Sequence, residues 1–316
     1  MKSLRIVFFG TPDFAKASLE AIHQSQHQVV GVVTVADKPT GRGQKMTTSP
    51  VKNYAVEHQL PLFQPEKLRN PEFLESMKNL EADLFVVVAF RMMPKILFEL
   101  PKMGTFNLHG SLLPDYRGAA PINYAIINGE KETGATTFFI NEKIDEGNIL
   151  LQDKISIGEN ENAGELHDRL MAMGAKLVVK TLNGLAENSI NERPQPQVEN
   201  PKNAFKIFKE DMKIHWDWEV ERIHNFVRGM SPYPCAFTTL KIGDERKNLK
   251  IYSGDYETTS TKGIGHLDIS KNEFKIHTSN GIFSPKEVQL EGKKRMDVKS
   301  FLNGFQSFDN ISIALD

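Results

Sequence analysis

Short hydrophobic runs alternate with helix-like stretches along residues 1–185. The runs are too short for long helices and are rich in β-branched residues, as in Leu84–Ala89, which predicts buried strands. Such an alternation predicts an α/β domain with a mainly parallel sheet. The predicted strands are 5–9, 29–35, 84–89, 105–108, 135–140 and 149–155, and the predicted helices are 15–24, 51–58, 71–78, 122–128 and 163–184, the last with Asn162 as N-cap.

The pattern changes in the second part of the chain. Residues 188–204 contain three prolines and few apolar side chains, which predicts a linker. One amphipathic helix follows at 220–228, and then short strands separated by polar turns predict a small antiparallel barrel or sandwich. The expected domains are therefore 1–187 and 205–316, joined by 188–204. The predicted strands of the second domain are 237–242, 250–253, 263–269 and 273–278.

The composition is that of a globular protein, with 40% hydrophobic and 25% charged residues among 316. No apolar run approaches the roughly 20 residues of a membrane span, and the first run is too short for a secretory signal. A single cysteine, Cys235, favours a cytoplasmic location. The net charge of −1 argues against gross nucleic-acid binding, although the part after residue 199 is slightly basic.

Two polar side chains end one of the predicted buried strands. Asn107 and His109 are two residues apart and therefore project from the same face. An amide beside an imidazole suits carbonyl chemistry, because the amide can stabilise an oxyanion while the imidazole moves a proton. Ligands of parallel sheets bind at the carboxyl ends of the strands, where this pair falls. Asp145 follows a later strand; it could orient the imidazole, or it could be an ordinary turn residue.

Other motifs carry weaker signals. Gly10 begins a turn without the Gly-x-Gly-x-x-Gly pattern, so dinucleotide binding is not indicated. Arg42 lies between two glycines, in a loop that either carries basic groups to a ligand or is an ordinary solvated loop. Ser111 lacks the Gly-x-Ser-x-Gly context of a serine nucleophile. No HExxH or CxxC pattern is present, so a metal is not indicated.

Taken together, several segments resemble one family. They are Asn107-x-His109, Ser111–Pro114, Arg117–Ile122, Asp145-x-Gly147, Arg42-Gly43-x-Lys45 and Gln289–Met296. This combination is similar to the folate-dependent formyltransferases, in particular the branch that acts on methionyl-tRNA, and it extends over nearly the whole chain. The resemblance implies a Rossmann-like formyltransferase domain followed by a small OB-like β-barrel. Cys235 stands where glycine is common in that family.

The resemblance also implies roles for individual residues. It implies 10-formyltetrahydrofolate as co-substrate without a metal and methionyl-initiator tRNA as partner, with no membrane and no obligate protein partner. The implied catalytic residues are Asn107, His109 and Asp145. The implied folate-binding residues are Ser111, Leu112, Leu113, Pro114, Phe90 and Met92, and the implied tRNA-binding residues are Arg42, Lys45, Lys293, Lys294 and Arg295.

Alternatives with the same site stay open at the level of sequence. A formyl-folate hydrolase would use the same three catalytic residues with water in place of the amine. A related transferase would act on another amine, although one acting on a small molecule has no need of the second domain. A non-catalytic RNA-binding protein would not need Asn107, His109 and Asp145 together.

Overall fold

A computed structural model describes residues 2–40 and 45–315, and the side chains of residues 39, 40 and 45 are outside that description. The elements up to residue 204 are β1 (Arg5–Gly10), α1 (Asp13–His23), β2 (Gln28–Val33), β3 (Lys38–Thr40), β4 (Lys45–Thr47), α2 (Pro50–Glu57), β5 (Leu62–Phe63), α3 (Pro71–Asn79), β6 (Leu84–Val88), α4 (Lys95–Phe98), β7 (Thr105–His109), β8 (Arg117–Gly118), α5 (Pro121–Ile127), β9 (Glu132–Phe139), β10 (Ile149–Ser156), α6 (Ala163–Ala186) and β11 (Asn203–Ala204).

The elements beyond residue 204 are shorter and mostly strands. They are a 3-10 helix (Glu210–Met212), α7 (Val220–Met230), β12 (Ala236–Ile242), β13 (Glu245–Thr258), β14 (Leu267–Ile269), β15 (Phe274–His277), β16 (Gly281–Leu290), β17 (Met296–Asp297), α8 (Val298–Asn303) and β18 (Ile311–Ala314).

The chain divides into two compact units, and each unit is made of several separate stretches of the sequence. The first unit contains the residues up to 118 together with 132–155 and 167–203. The second unit contains residues 119–131, 156–166 and those from 204 onward. The predicted boundaries at 187 and 205 stay predictions, because each unit draws on several separate stretches of chain.

The first unit is built on a seven-stranded sheet with the order β10-β9-β7-β6-β1-β2-β5. Strands β1, β2, β5, β6 and β7 pair in parallel, and β9 runs antiparallel to β7. Every residue of β6 is buried, as expected for a strand covered on both faces. The predicted α/β class with a mainly parallel sheet is confirmed.

The second unit contains an antiparallel sheet with the order β14-β15-β16-β13-β12-β18, and β17 pairs with β16. Its apolar side chains converge on a core that includes Trp216, Phe226 and Phe283. A Cβ on Gly265, just before β14, would touch Leu315, just after β18, so the sheet curls until its two edges approach each other. This arrangement confirms the predicted OB-like barrel.

Helix starts follow the local sequence. The Asn162 side chain accepts hydrogen bonds from the backbone N–H groups of Gly164 and Glu165 (2.9 and 3.1 Å), and the Glu165 carboxylate accepts one from the Asn162 backbone (2.9 Å). This reciprocal capping box confirms Asn162 as the N-cap of α6. Among the described helices, none combines the length and the apolar character that crossing a membrane requires.

Candidate active site

Asn107 and His109 lie at the carboxyl end of β7, the strand that joins the parallel part of the sheet to the antiparallel β9. In the sheet register, Asn107 is opposite Val87 of β6 and Phe138 of β9, while His109 is opposite Thr136. His109 is 7% exposed, so its imidazole is almost removed from water. The strand therefore places an amide and a buried imidazole at the sheet edge where ligands of this architecture bind.

The contacts of the His109 ring fix which nitrogen is protonated. Nε2 lies 2.8 Å from the backbone carbonyl oxygen of Tyr116. A carbonyl oxygen can only accept, so Nε2 carries the hydrogen and donates it. In the neutral ring, Nδ1 then presents a lone pair, and it lies 3.8 Å from Oδ2 of Asp145. The structure thus brings His109 and Asp145 together, with the basic nitrogen facing the carboxylate.

The Asn107 amide carries an unmatched polar atom. Its Oδ1 is buried and has no hydrogen-bond partner among the described residues. A buried carbonyl oxygen without a donor costs about 1–3 kcal/mol. Such an atom in a native fold calls for an explanation, and a ligand that supplies the missing donor is one. The Asn107 side chain therefore fits a site that is completed by a bound molecule.

Asp145 is held in a turn that few residues can adopt. Its φ is 54°, in the left-handed region, and its Oδ2 accepts a hydrogen bond from the Gly118 backbone N–H (2.9 Å). Two residues later, a Cβ on Gly147 would lie 1.6 Å from the carbonyl oxygen of Phe139. The Asp-x-Gly spacing thus reflects a backbone that passes too close to β9 for any side chain.

One contact in this region was not anticipated from the sequence. The Gln195 side chain lies between the Asp145–Gly147 turn and Arg117 and hydrogen-bonds to both. Gln195 belongs to the proline-rich segment 188–204, whose composition predicts a linker. A pattern of low hydrophobicity carries no information about such a contact, because the contact uses only polar groups.

The residues expected to bind folate have mixed environments. Ser111 is fully buried and its hydroxyl donates to the Asp115 carbonyl (2.7 Å), so it is engaged within its own turn. Leu113 packs in a small core cluster with Phe138 and Ile149, so its side chain has a core role. Phe90 is partly buried and packs against a core cluster of the first unit. Leu112 and Pro114 are also partly buried, whereas Met92 is 75% exposed. Folate binding by this set stays a prediction.

The residues expected to bind tRNA fall in two places. Arg42 and the side chain of Lys45 lie outside the described residues. Lys293 and Lys294 are exposed in the turn after β16. Arg295 follows them, but it pairs with Glu287 through two hydrogen bonds of 2.6 and 2.5 Å, and this pairing raises the pKa of Arg295. Lys293 and Lys294 are thus better placed to meet a phosphate than Arg295.

A separate ionisable cluster lies in the second unit. His266, Asp268 and His277 present groups within 4.8 Å of one another. The Lys262 backbone N–H donates to His277 Nδ1 (3.0 Å), so His277 Nε2 carries a hydrogen and donates to Asp268 (2.9 Å). The Lys262 ammonium binds both carboxylate oxygens (2.7 and 2.9 Å) and, together with His277, strongly lowers the pKa of Asp268. The groups satisfy one another, as in a structural network.

Comparison with known proteins agrees with this geometry. Residues 4–182 match the formyl transferase family, and residues 206–306 match the formyl transferase C-terminal domain. The chain therefore belongs to the formyl transferase family.

Its full-length relatives identify the branch as that of the methionyl-tRNA formyltransferases. The methionyl-tRNA formyltransferase of Flavobacterium johnsoniae is 48% identical, covering 99% of this chain and 100% of its own. That of Bacteroides fragilis is 43% identical, covering 96% of each.

A solved structure has the same fold at lower identity. It is the N-formyltransferase of Helicobacter canadensis in complex with folinic acid and dTDP-3-aminofucose. Its TM-score is 0.65 at 22% sequence identity, and the match covers 89% of this chain and 99% of the other.

Proposed function

We propose that this chain transfers the formyl group of 10-formyltetrahydrofolate to the α-amino group of methionyl-initiator tRNA, for translation initiation in the cytoplasm. The observation that carries the proposal is the His109 ring, whose Nε2 is committed to Tyr116 while Nδ1 faces Asp145. The full-length relatives support both the acceptor and the type of reaction, and no observation favours formyl-folate hydrolysis.

Asn107 stabilises the charge that develops when the amine adds to the formyl carbon. Its side-chain N–H donates to the carbonyl oxygen of the formyl group as that oxygen becomes an oxyanion. Its buried Oδ1, which lacks a partner, accepts an N–H of the incoming amine or of the folate. Loss of one oxyanion donor typically costs about 10²–10³ in rate.

His109 moves the proton that the reaction must transfer. A bond forms between the amine nitrogen and the formyl carbon, and the bond from that carbon to N10 of the folate breaks. His109 Nδ1 takes the proton from the amine and returns one to N10, while Asp145 stabilises the imidazolium in between. A covalent enzyme intermediate is unnecessary, because a neutral amine is already a nucleophile.

Residues 1–187 would perform this chemistry, and residues 205–316 would bind the tRNA. Ser111–Pro114, Phe90 and Met92 are proposed to line the folate site. Arg42 and Lys45 are proposed to contact the acceptor end of the tRNA, while Lys293, Lys294 and Arg295 contact backbone phosphates. Phosphate contacts give binding that does not depend on sequence.

The function is tested with charged initiator and elongator methionyl-tRNAs and 10-formyltetrahydrofolate. We expect formyl-methionine to form on the initiator tRNA. Formate release from the same mixture without tRNA measures hydrolysis, because a hydrolase would release formate as fast without tRNA as with it. Formate release that is unaffected by tRNA, without formyl-methionine, would reject the proposal in favour of a hydrolase.

A further inference from the structure

Backbone hydrogen bonds connect the segment 193–202 to parts of the chain that adjoin the proposed site. At one end, Arg193 exchanges two backbone hydrogen bonds with Ile149 (2.7 and 2.9 Å). At the other, the Lys202 carbonyl accepts from the Tyr116 N–H (2.5 Å), and Tyr116 is the residue whose own carbonyl binds His109. Gln195 lies between these two attachments, so its backbone is anchored on both sides.

The Gln195 amide uses its full hydrogen-bonding capacity. Nε2 donates to the carbonyl oxygens of Asp145 (2.7 Å) and Gly147 (2.9 Å). Oε1 accepts from Nε (3.2 Å) and Nη2 (2.6 Å) of Arg117. Two donated and two accepted bonds are what a side-chain amide offers. A carboxylate could not donate to the carbonyls, and an ammonium could not accept from the arginine.

The turn that Gln195 contacts needs such a partner. Asp145 has a left-handed φ, and Gly147 is pressed against the Phe139 carbonyl. Backbone conformations of this kind persist only where the surroundings hold them. Without Gln195, two turn carbonyls would lose the same donor group at once. Arg117 would lose the amide acceptor and keep its ion pair with Glu146 (3.3 Å). The turn would then be free to relax to a commoner conformation.

We propose that Gln195 is a positioning residue for formyl transfer, which acts by keeping the Asp145 carboxylate opposite His109 Nδ1. The inference rests on the proposed function, because it assigns Gln195 to the same reaction. Gln195 itself does not touch the reacting atoms. Its effect on the rate is transmitted through Asp145 alone, and this separates it from a residue that only stabilises the fold.

The first experiment compares three variants in the formyl-methionine assay. Gln195→Ala removes the amide, and Gln195→Glu keeps its size and an acceptor for Arg117 but loses both donors to the turn. Gln197→Ala is the matched control, because Gln197 is an exposed glutamine in the same segment. We expect kcat to fall about tenfold or more in both Gln195 variants, since an error of about 1 Å in positioning can cost 10²-fold. KM for both substrates and the melting temperature should stay near those of Gln197→Ala.

The second experiment combines Gln195→Ala with Asp145→Asn and measures single-turnover rates. If Gln195 acts through Asp145, then Gln195→Ala changes the rate of the Asp145→Asn enzyme by less than about twofold. The reason is that both substitutions remove the same contribution, that of a correctly placed Asp145 carboxylate. The inference is overturned if Gln195→Ala lowers the rate of the Asp145→Asn enzyme by the same factor as it lowers the rate of the parent enzyme. It is also overturned if the Gln195→Ala enzyme has the kcat of the parent. A parent chain that forms no formyl-methionine overturns the proposed function together with this inference.

Discussion

His109 can act as a base at only one of its ring nitrogens, because Nε2 already donates to the Tyr116 carbonyl. The neighbouring Asn107 has the opposite status, with a buried oxygen that has no donor. The His109 ring is thus oriented by the protein, whereas the Asn107 oxygen is the atom that the proposed mechanism pairs with a donor of the substrate. This difference predicts different effects of their replacement.

We expect His109→Ala to abolish detectable formyl transfer and Asn107→Ala to lower kcat by about 10²–10³, the usual cost of one oxyanion donor. The rates are measured as formyl-methionine formed on initiator tRNA. Binding of 10-formyltetrahydrofolate and the circular dichroism spectrum serve as controls and should be retained in both. An Asn107→Ala enzyme with parental kcat would show that the amide does not contact the developing oxyanion.

Cys235 has a backbone conformation that is unusual for a residue with a side chain. Its φ is 77°, in the left-handed region that favours glycine. The side chain is 1% exposed, and this burial raises the pKa of the thiol to about 11. Because the thiolate is the reactive form, Cys235 should be inert in the folded protein.

We therefore expect the Cys235 thiol of the native protein to react with a thiol reagent at pH 8 at least about 100-fold more slowly than after unfolding, where its pKa returns to about 8.5. The reaction is followed by absorbance in buffer and in guanidinium chloride. Equal rates in the two solvents would mean that the thiol is accessible in the native state.

At the scale of the element, α7 contains a histidine that burial keeps neutral. His224 is 6% exposed, and its ring centroid lies 4.8 Å from that of Tyr256. Burial, and secondarily the nearby Arg228, lowers the pKa of His224 to about 4. The unfolded chain, with a histidine pKa of about 6.5, binds the proton more readily. Acid therefore favours unfolding through this residue.

We expect the contribution of His224 to stability to be complete above about pH 6.5 and to be lost as pH falls toward 4. One proton changes the free energy of unfolding by up to about 1.4 kcal/mol per pH unit in that range. Urea unfolding between pH 7.5 and 4.5 measures this slope, and His224→Gln should flatten it by up to one proton. Parallel curves for the two proteins would contradict the assignment. The comparison is needed because burial also lowers the pKa of His27.

The spacing of apolar residues along the chain predicted several buried strands of the first unit. The predicted strands 5–9, 84–89 and 105–108 each agree with β1, β6 and β7 to within one residue at either end. It missed β16, where Pro285 stands in the middle of the strand opposite Gly254, close to irregularities in the β13 register. Proline normally argues against a strand interior, and the irregular pairing that tolerates it is a property of two strands together.

The candidate site was predictable to the extent that it lies on a strand. Asn107 and His109 follow from alternation along β7, and the motif Asp145-x-Gly147 indicated the turn. Gln195 and the Tyr116 carbonyl could not be predicted, because both act through polar contacts between residues distant in sequence or through the backbone. Such contacts leave no periodic or compositional trace.

At the scale of the whole molecule, the basic residues that are proposed to contact tRNA belong to two separate stretches of the chain. Lys293 and Lys294 lie in one exposed turn, and the proposed Arg42 contact belongs to another part of the chain. Each phosphate contact releases counterions, so its loss should reduce the salt dependence of binding as well as the affinity.

We expect the double variant Lys293→Ala, Lys294→Ala to raise KM for methionyl-tRNA and to reduce the slope of log affinity against log salt by about 2, one for each contact. Arg42→Ala should strongly reduce transfer while 10-formyltetrahydrofolate still binds. Both are read from initial rates over a range of salt concentrations. Lys271→Ala, which removes another exposed lysine of the second unit, is the control and should behave as the parent. A double variant with an unchanged slope would remove these lysines from the tRNA contact.

The interleaved composition of the second unit has a consequence for synthesis on the ribosome. Helix α5 belongs to that unit, where Asn123 donates to the Gly229 carbonyl of α7 (2.8 Å) and Ile127 fills the space beside Gly229. Helix α7 leaves the ribosome roughly 100 residues after α5, which is about 5–20 s later at common elongation rates. During this interval, α5 lacks its native contacts with α7. A nascent chain arrested between the two helices should therefore be bound by chaperones, and release of the complete chain should end that binding.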